Sequence, residues 1–170
     1  GAMSTFLKDV LHRINAGLGK TEDEYYQAIA KTFLVSCDNA HALHPNHAEK
    51  TDAVNFVTMN GGIVIKESAN QKYTTDAFSR ALFTGVCQNV NVPVQSFANR
   101  SDVVGGSTLG NLSNTQVSVH AVDFGLAQLA MHSPYETAGA KDTAYLVQFA
   151  KTFYETTLVR TEHGFFLEEK

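Results

Sequence analysis

An α/β fold, a β-sheet layered with helices, is what the sequence predicts. Three observations point there. Short apolar runs of strand length recur along the chain: "TFLVSC" (residues 32–37), "GIVIKES" (62–68), "PVQSFA" (93–98) and "VSVHAVDF" (117–124). Segments with apolar residues at helical spacing lie around and between them. Cap and turn residues mark the switches from one to the other.

Residues 1–3, "GAM", read as an expression-vector scar and are set aside. Residues 4–170 are then one domain or a large piece of one. Phe6, Leu7, Val10, Leu11 and Ile14 recur at helical spacing, with Gly17 and Gly19 as stops. Thr21, followed three residues later by Glu24, is a capping box for a second, shorter helix. The first strand follows, and the second comes after the Asn60-Gly61-Gly62 turn signal. Thr75 is the expected N-cap of a helix whose apolar side is Phe78, Ala81, Leu82, Gly85 and Val86. A strand, a glycine-rich loop and another strand come next. Ser133-Pro134-Tyr135-Glu136 predicts a helix start, with serine at the N-cap and proline at the first helical position. Gly139 interrupts that helix and Asp142 restarts it, with Tyr145, Leu146, Phe149 and Phe153 on one face. There is no internal repeat, low-complexity tract or linker.

The 170 residues are 44% hydrophobic and 18% charged, a globular balance rather than a disordered one. A net charge of −4 argues against nucleic acid as the main partner, because phosphate binding needs a concentrated positive field. No run approaches the roughly 18 apolar residues of a membrane span, and no signal peptide opens the chain. Cys37 and Cys87 are too few for a disulfide scaffold and read as small buried fillers; a cytoplasmic location is expected.

The densest chemistry is "SCDNAHALHPNH", residues 36–47. Asp38 follows a strand directly, where open α/β sheets collect ligands. Zinc accepts both carboxylate and imidazole. Asp38, His41 and His44 are spaced three apart, so a single helical turn, ended by Pro45, could put them on one side. HxxH alone fits a capped turn with surface histidines equally well. His132 precedes the predicted helix start, a poor place for a cation but suited to a neutral imidazole facing a metal; alone, it reads rather as a residue packing against the first helical turn. Lys66 ends an apolar strand, and the residues alone favour an edge-protecting charge over an anion-binding group in a pocket. "RSDVVGGSTLGN" is not a phosphate loop, because Asn111 stands where the Walker pattern needs lysine. Ser107 lacks the second glycine of G-x-S-x-G and is no nucleophile.

Together, "FLVSCDNAHALHPN", "GGIVIKESANQKYTTDA", "SDVVGGSTLG" and "AVDFGLAQLAMHSPYETAG" resemble, in order, the M18 metallo-aminopeptidases, the aspartyl aminopeptidases. The resemblance runs from about Phe6 to Tyr154. It implies part of a mixed β-sheet layered with helices, as in the dinuclear zinc aminopeptidase fold. It also implies two zinc ions per complete site, with Mn2+ or Co2+ as possible substitutes, and peptide substrates with an acidic N-terminal residue. Carried over position by position, Asp38 and His132 resemble terminal ligands of the two metals. His41, Lys66 and Tyr73 resemble substrate-binding residues, with Lys66 facing the acidic side chain, and His44 a supporting one. His47 departs from the aromatic residue common at its position, and "GGIVIK" lacks the usual proline.

The family's H-x-D pair, bridging aspartate and Glu-Glu pair match nothing here: "HAVD" has the wrong spacing and Glu168-Glu169 the wrong context. The expectation is therefore the C-terminal portion of a catalytic domain, with no catalytic base in this chain. It would be inactive alone, dependent on the upstream part of the domain, and derived from a homo-oligomeric parent. The alternative is a noncatalytic, truncated paralogue acting as a peptide-binding or interaction module. A zinc-storage module would need a full ligand set within one proline-broken turn, an awkward arrangement for tetrahedral geometry.

Overall fold

The computed structural model describes residues 1–162 and 164–169. The chain opens with two helices, α1 (Phe6–Gly17) and α2 (Glu22–Ala30). The Thr21–Glu24 capping box forms in both directions, with Glu24 N donating to Thr21 Oγ1 at 3.2 Å and Thr21 N to Glu24 Oε2 at 2.8 Å. Strand β1 (Phe33–Cys37) and the two-residue β2 (Ala40–His41) follow, then β3 (Ile63–Lys66), α3 (Ala77–Asn89), β4 (Val94–Phe97) and the short α4 (Leu109–Asn114). Next come β5 (His120–Gly125), β6 (Ala127–Leu129), β7 (Thr137–Ala138) and α5 (Ala140–Glu155), and a hairpin of β8 (Thr156–Thr161) and β9 (Gly164–Glu169) ends the chain.

The main sheet has the order β1-β5-β3-β4 and is mixed: β1 pairs with β5 in parallel, β5 with β3 antiparallel, and β3 with β4 in parallel. A second sheet, β2-β6-β7, continues from it. The mixed α/β architecture is the one expected. One face of the main sheet carries Ile63, Ile65, Val122 and Phe124 against Phe83 and Val86 of α3 and Phe149 of α5. Val64, on the opposite face, packs with Val57, Tyr73 and Phe97. Gly62 makes the entry to β3 possible: at φ +113, an added Cβ would lie 2.2 Å from the Pro93 carbonyl oxygen.

Several local expectations are corrected. Asp76, not Thr75, caps α3, accepting from Ser79 N at 2.7 Å. The Thr75 hydroxyl is used by β5 instead, accepting from Asp123 N at 3.0 Å. The glycine-rich loop contains a helix, α4, capped by Thr108. β5 starts at His120, because Val117 N still bonds back to Ser113 O after α4. No helix begins at Ser133. Its hydroxyl closes a local turn onto Tyr135 N, and Glu136 accepts from His132 N instead of completing a capping box. Helix α5 starts at Gly139 as N-cap, and Asp142 in its first turn is fully buried, accepting from Asn60 N and Gly62 N at 2.6 and 2.9 Å. Cys87 is buried in the core, which pushes its thiol up to about 12, whereas Cys37 is exposed and fills nothing.

Candidate active site

Strands β1 and β5 run side by side and both change sheet at the same level. Asp38 and Asn39 separate β1 from β2, and Leu126 separates β5 from β6. The parallel ladder nevertheless continues, with Asp38 N donating to Phe124 O at 2.7 Å and Ala40 N to Leu126 O at 2.9 Å. Asn39 staples the break: its Oδ1 accepts from Leu126 N at 2.9 Å and its Nδ2 donates to Gln128 Oε1 at 2.5 Å. Gly125 allows the close approach, since a Cβ there would sit 2.2 Å from the Asp38 carbonyl oxygen. Asp38 is thus held at the carboxyl end of β1. His41 lies on extended β2, so the single helical turn expected to align Asp38, His41 and His44 does not form.

Lys66 ends β3, which lies inside the sheet between β5 and β4, so the edge-protecting reading is overturned. The residue is 4% exposed. Nζ donates to the carbonyl oxygens of Asn39 at 3.1 Å and Asp38 at 3.4 Å, and stands 3.5 Å from Asp38 Oδ2. The ammonium lies 4.6 Å from the centre of the Tyr73 ring. Burial pulls the Lys66 ammonium below the ordinary lysine value, opposed by the charges of Asp38 and Asp123. Burial likewise pushes the Tyr73 phenol up, against the hydrogen bond from Asn99.

His132 sits not at a helix start but in a turn between β6 and β7, with left-handed backbone at φ +66 and Ala130 at +55. Each such non-glycine residue costs about 1 kcal/mol or more, and such strain clusters at functional sites. The turn is closed by Ser133 N donating to Ala130 O at 3.0 Å and by the Glu136 carboxylate on His132 N at 2.6 Å.

Asp38, His41, Lys66, Tyr73 and His132 line one cavity of about 210 Å³. They come from the ends of β1 and β3, from β2, from the segment before α3, and from the turn after β6. Burial, then Lys66 and His132, hold the His41 imidazole below its ordinary value, against the pull of Asp38. His44 is not in this cavity. It lines an adjoining one of about 440 Å³, in which its Nδ1 accepts from Asn46 N at 3.2 Å.

Asn99 escaped the sequence reading, and Asp123 was weighed there only as part of "HAVD" and set aside. Asn99 donates to the Tyr73 hydroxyl at 3.0 Å; its place just beyond the carboxyl end of β4 was the available signal. Asp123, fully buried on β5, accepts from Thr74 N at 2.6 Å and Thr74 Oγ1 at 2.8 Å, fixing the segment that carries Tyr73. Nothing local distinguishes it from any strand aspartate.

Asp38 and His132 offer donor atoms that zinc accepts. Among the described residues, however, no three His, Cys, Asp or Glu side chains converge to hold a metal ion. Zinc sites use three or four protein ligands. These residues alone therefore do not fit a complete zinc site, and no metal-dependent step follows from this chain by itself. Among the described residues, no helix is long and apolar enough to cross a membrane.

Comparison with known proteins places the site in context. The family model described as "Aminopeptidase I zinc metalloprotease (M18)" matches residues 1–154. A Clostridium novyi protein named "Probable M18 family aminopeptidase 2" is 44% identical over 154 residues, covering 91% of this chain but 36% of the relative. The chain thus spans about a third of the length of the curated relatives it matches. Among solved structures, a chain of the Ape4 and Nbr1 complex matches at TM-score 0.86 and 42% identity, over 91% of this chain and 29% of that one. An S. cerevisiae mApe1 dodecamer matches at TM-score 0.74 and 26% identity, over 91% and 34%.

Proposed function

The chain belongs to the M18 family of zinc metalloproteases, and from that premise we propose that it is the C-terminal portion of the catalytic domain of a dinuclear zinc aminopeptidase that removes acidic N-terminal residues from peptides. The observation that carries this reading is the meeting of Asp38, Lys66 and His132 in one cavity. In the complete domain Asp38 and His132 would each supply a terminal ligand to one of two zinc ions, with Mn2+ or Co2+ as substitutes. Zinc held there would supply Lewis-acid chemistry to a carbonyl and to water. The bridging aspartate, the other ligands and the general base come from the upstream part of the domain.

The chain's own residues select and orient the substrate. A buried ammonium rewards a carboxylate on the first residue and is left unpaired against an apolar one. Lys66 accordingly binds the acidic side chain. Tyr73, over its ammonium, shields that pair from water, and Asn99 steadies the Tyr73 hydroxyl. His41, whose imidazole is held below its ordinary value by burial and by Lys66, hydrogen-bonds the substrate beside the metals. His44 supports that strand from the adjoining cavity. The parent is cytoplasmic and a homo-oligomer; the dodecameric mApe1 neighbour supports the second of these readings.

Aspartyl and glutamyl substrates offered to the pure chain with added zinc, manganese or cobalt test the reading. No turnover is expected, together with zinc binding no tighter than about micromolar for so incomplete a ligand set. Robust turnover by the pure chain, or tight stoichiometric zinc binding, would overturn it.

A further inference from the structure

The β8–β9 hairpin lies beyond the residues that the family model matches, and it leaves a cavity of about 540 Å³ between itself and α3. Leu158 and Leu167 seat the hairpin on the core. Gly85 of α3 admits that contact, because an added Cβ there would stand 3.1 Å from Leu167 Cδ1. Nearer the turn, Phe165 packs on Phe78 with ring centres 4.8 Å apart. The space between is lined by Phe78, Leu82, Leu158, Phe165, Phe166 and Leu167, with Asn89 as the polar side chain in its wall. It shares no residue with the Lys66 cavity. Phe165 and Phe166 are 44% and 49% exposed, so the cavity opens to solvent beside them.

A cation stands at this opening. Arg160 lies opposite Phe165 across the hairpin, with its guanidinium 5.8 Å from the centre of the Phe165 ring. Arg80 and Arg100 each engage a carboxylate, whereas among the described residues Arg160 engages none. His120, whose ring centre is 4.7 Å from that of Phe78, adds an imidazole N–H to the same row of rings. The acids of the hairpin do not answer this charge. Glu168 lies opposite Thr157, on the other face of the hairpin and away from its turn, and Glu162 in the turn forms no ion pair with Arg160. A wholly apolar ligand would gain by burial and leave the guanidinium unused, and a cationic one would be repelled. A carboxylate carrying an apolar tail satisfies both parts.

We propose that this cavity binds a medium-chain fatty acid, its tail between α3 and the hairpin and its carboxylate on Arg160. The volume is in the range of small-molecule sites, about 300–1,000 Å³.

The test is a methyl NMR titration of the full chain with hexanoate, octanoate and decanoate below their micellar concentrations. Octanol and octylamine serve as controls matched in length to octanoate. Affinity is expected to rise about fourfold for each added methylene, the factor for burying one CH2 group. The Ala81 and Leu167 methyl resonances should shift while that of Ala40, in the Lys66 cavity, stays in place. Octanoate should bind about fivefold tighter than octanol, and octylamine weakest of the three. Arg160→Gln should remove the advantage of octanoate over octanol. Ala81→Phe should fill the cavity and abolish binding of every ligand; both substitutions are at exposed positions, and circular dichroism checks that the fold survives them. Affinity independent of tail length, shifts centred on Ala40, octylamine binding as tightly as octanoate, or either variant behaving as the parent chain would overturn the site. So would Ala81 and Leu167 resonances that answer to protein concentration and not to ligand, since the hairpin face would then be a contact between copies.

Discussion

The two faces of β3 are equally buried and built on different principles. Ile63 and Ile65 point into the apolar cluster between the sheet and helices α3 and α5. Val64 and Lys66 point the other way, and there the strand ends in a charge under an aromatic ring. On the first face burial is the driving force of folding. On the second it is a cost, because an ammonium loses its water for two carbonyl oxygens and a carboxylate at 3.5 Å. Burial alone thus does not distinguish stabilising residues from residues held for binding. The sign of the energy does.

Three substitutions sharpen that contrast, and any one of them can break it. The largest effect is expected from Ile65→Ala, which should cost about 2–5 kcal/mol as a cavity opens between β3, Phe83 and Phe149; urea denaturation reads it directly. One residue on, Lys66→Met should be neutral or stabilising by up to about 2 kcal/mol, since Asp38 remains partly exposed and can be rehydrated. A large loss of stability there would mean that both faces serve the fold. The pH dependence adds a signature. With the folded-state Lys66 value depressed, the unfolded chain binds more protons in the alkaline range below the ordinary lysine value, so stability rises with pH there. That rise should be smaller in Lys66→Met, as denaturation curves of both proteins across the range would show. The smallest effect is expected for Asn99→Ala, about 1 kcal/mol for the lost bond to the Tyr73 hydroxyl, with weaker Asp-Ala-NH2 binding as its functional mark. If stability falls while dipeptide binding is untouched, Asn99 is structural only.

A third surface makes the same point from outside. Helix α1 carries an apolar stripe as clear as that of α3, yet it buries none of its residues, and Phe6, Leu7 and Ile14 stand exposed. α3 buries Leu82, Phe83, Val86 and Cys87. Spacing reveals that a helix has an apolar face, but not what that face meets.

What was legible in the sequence was short-range. The Thr21–Glu24 box, the strand at residues 63–66 and the α3 stripe rest on contacts within a few residues, where propensity and periodicity act directly. The misread helix start at Ser133 shows the limit of that logic. The capping residues are present, but Glu136 is drawn to His132 N and the turn closes another way. The two-residue strands β2 and β7 carry no pattern of their own and exist because β6 pairs with both. The hairpin at 156–169 was not anticipated at all; it is held by β8–β9 pairing and by Leu158 and Leu167 on the core.

By itself, then, the sequence determined the α/β class, the family through four collinear motifs, and the identities of Asp38, His41, Lys66, Tyr73 and His132 as chemically notable residues. Only the tertiary structure decided that those five share one cavity while His44 does not, that Lys66 lies inside the sheet, and that Asn99 and Asp123 brace the site. The reason is physical. Motifs record which groups are available, but their convergence depends on strand order and register, which are set by pairing and packing between residues as far apart as Asn39 and Gln128.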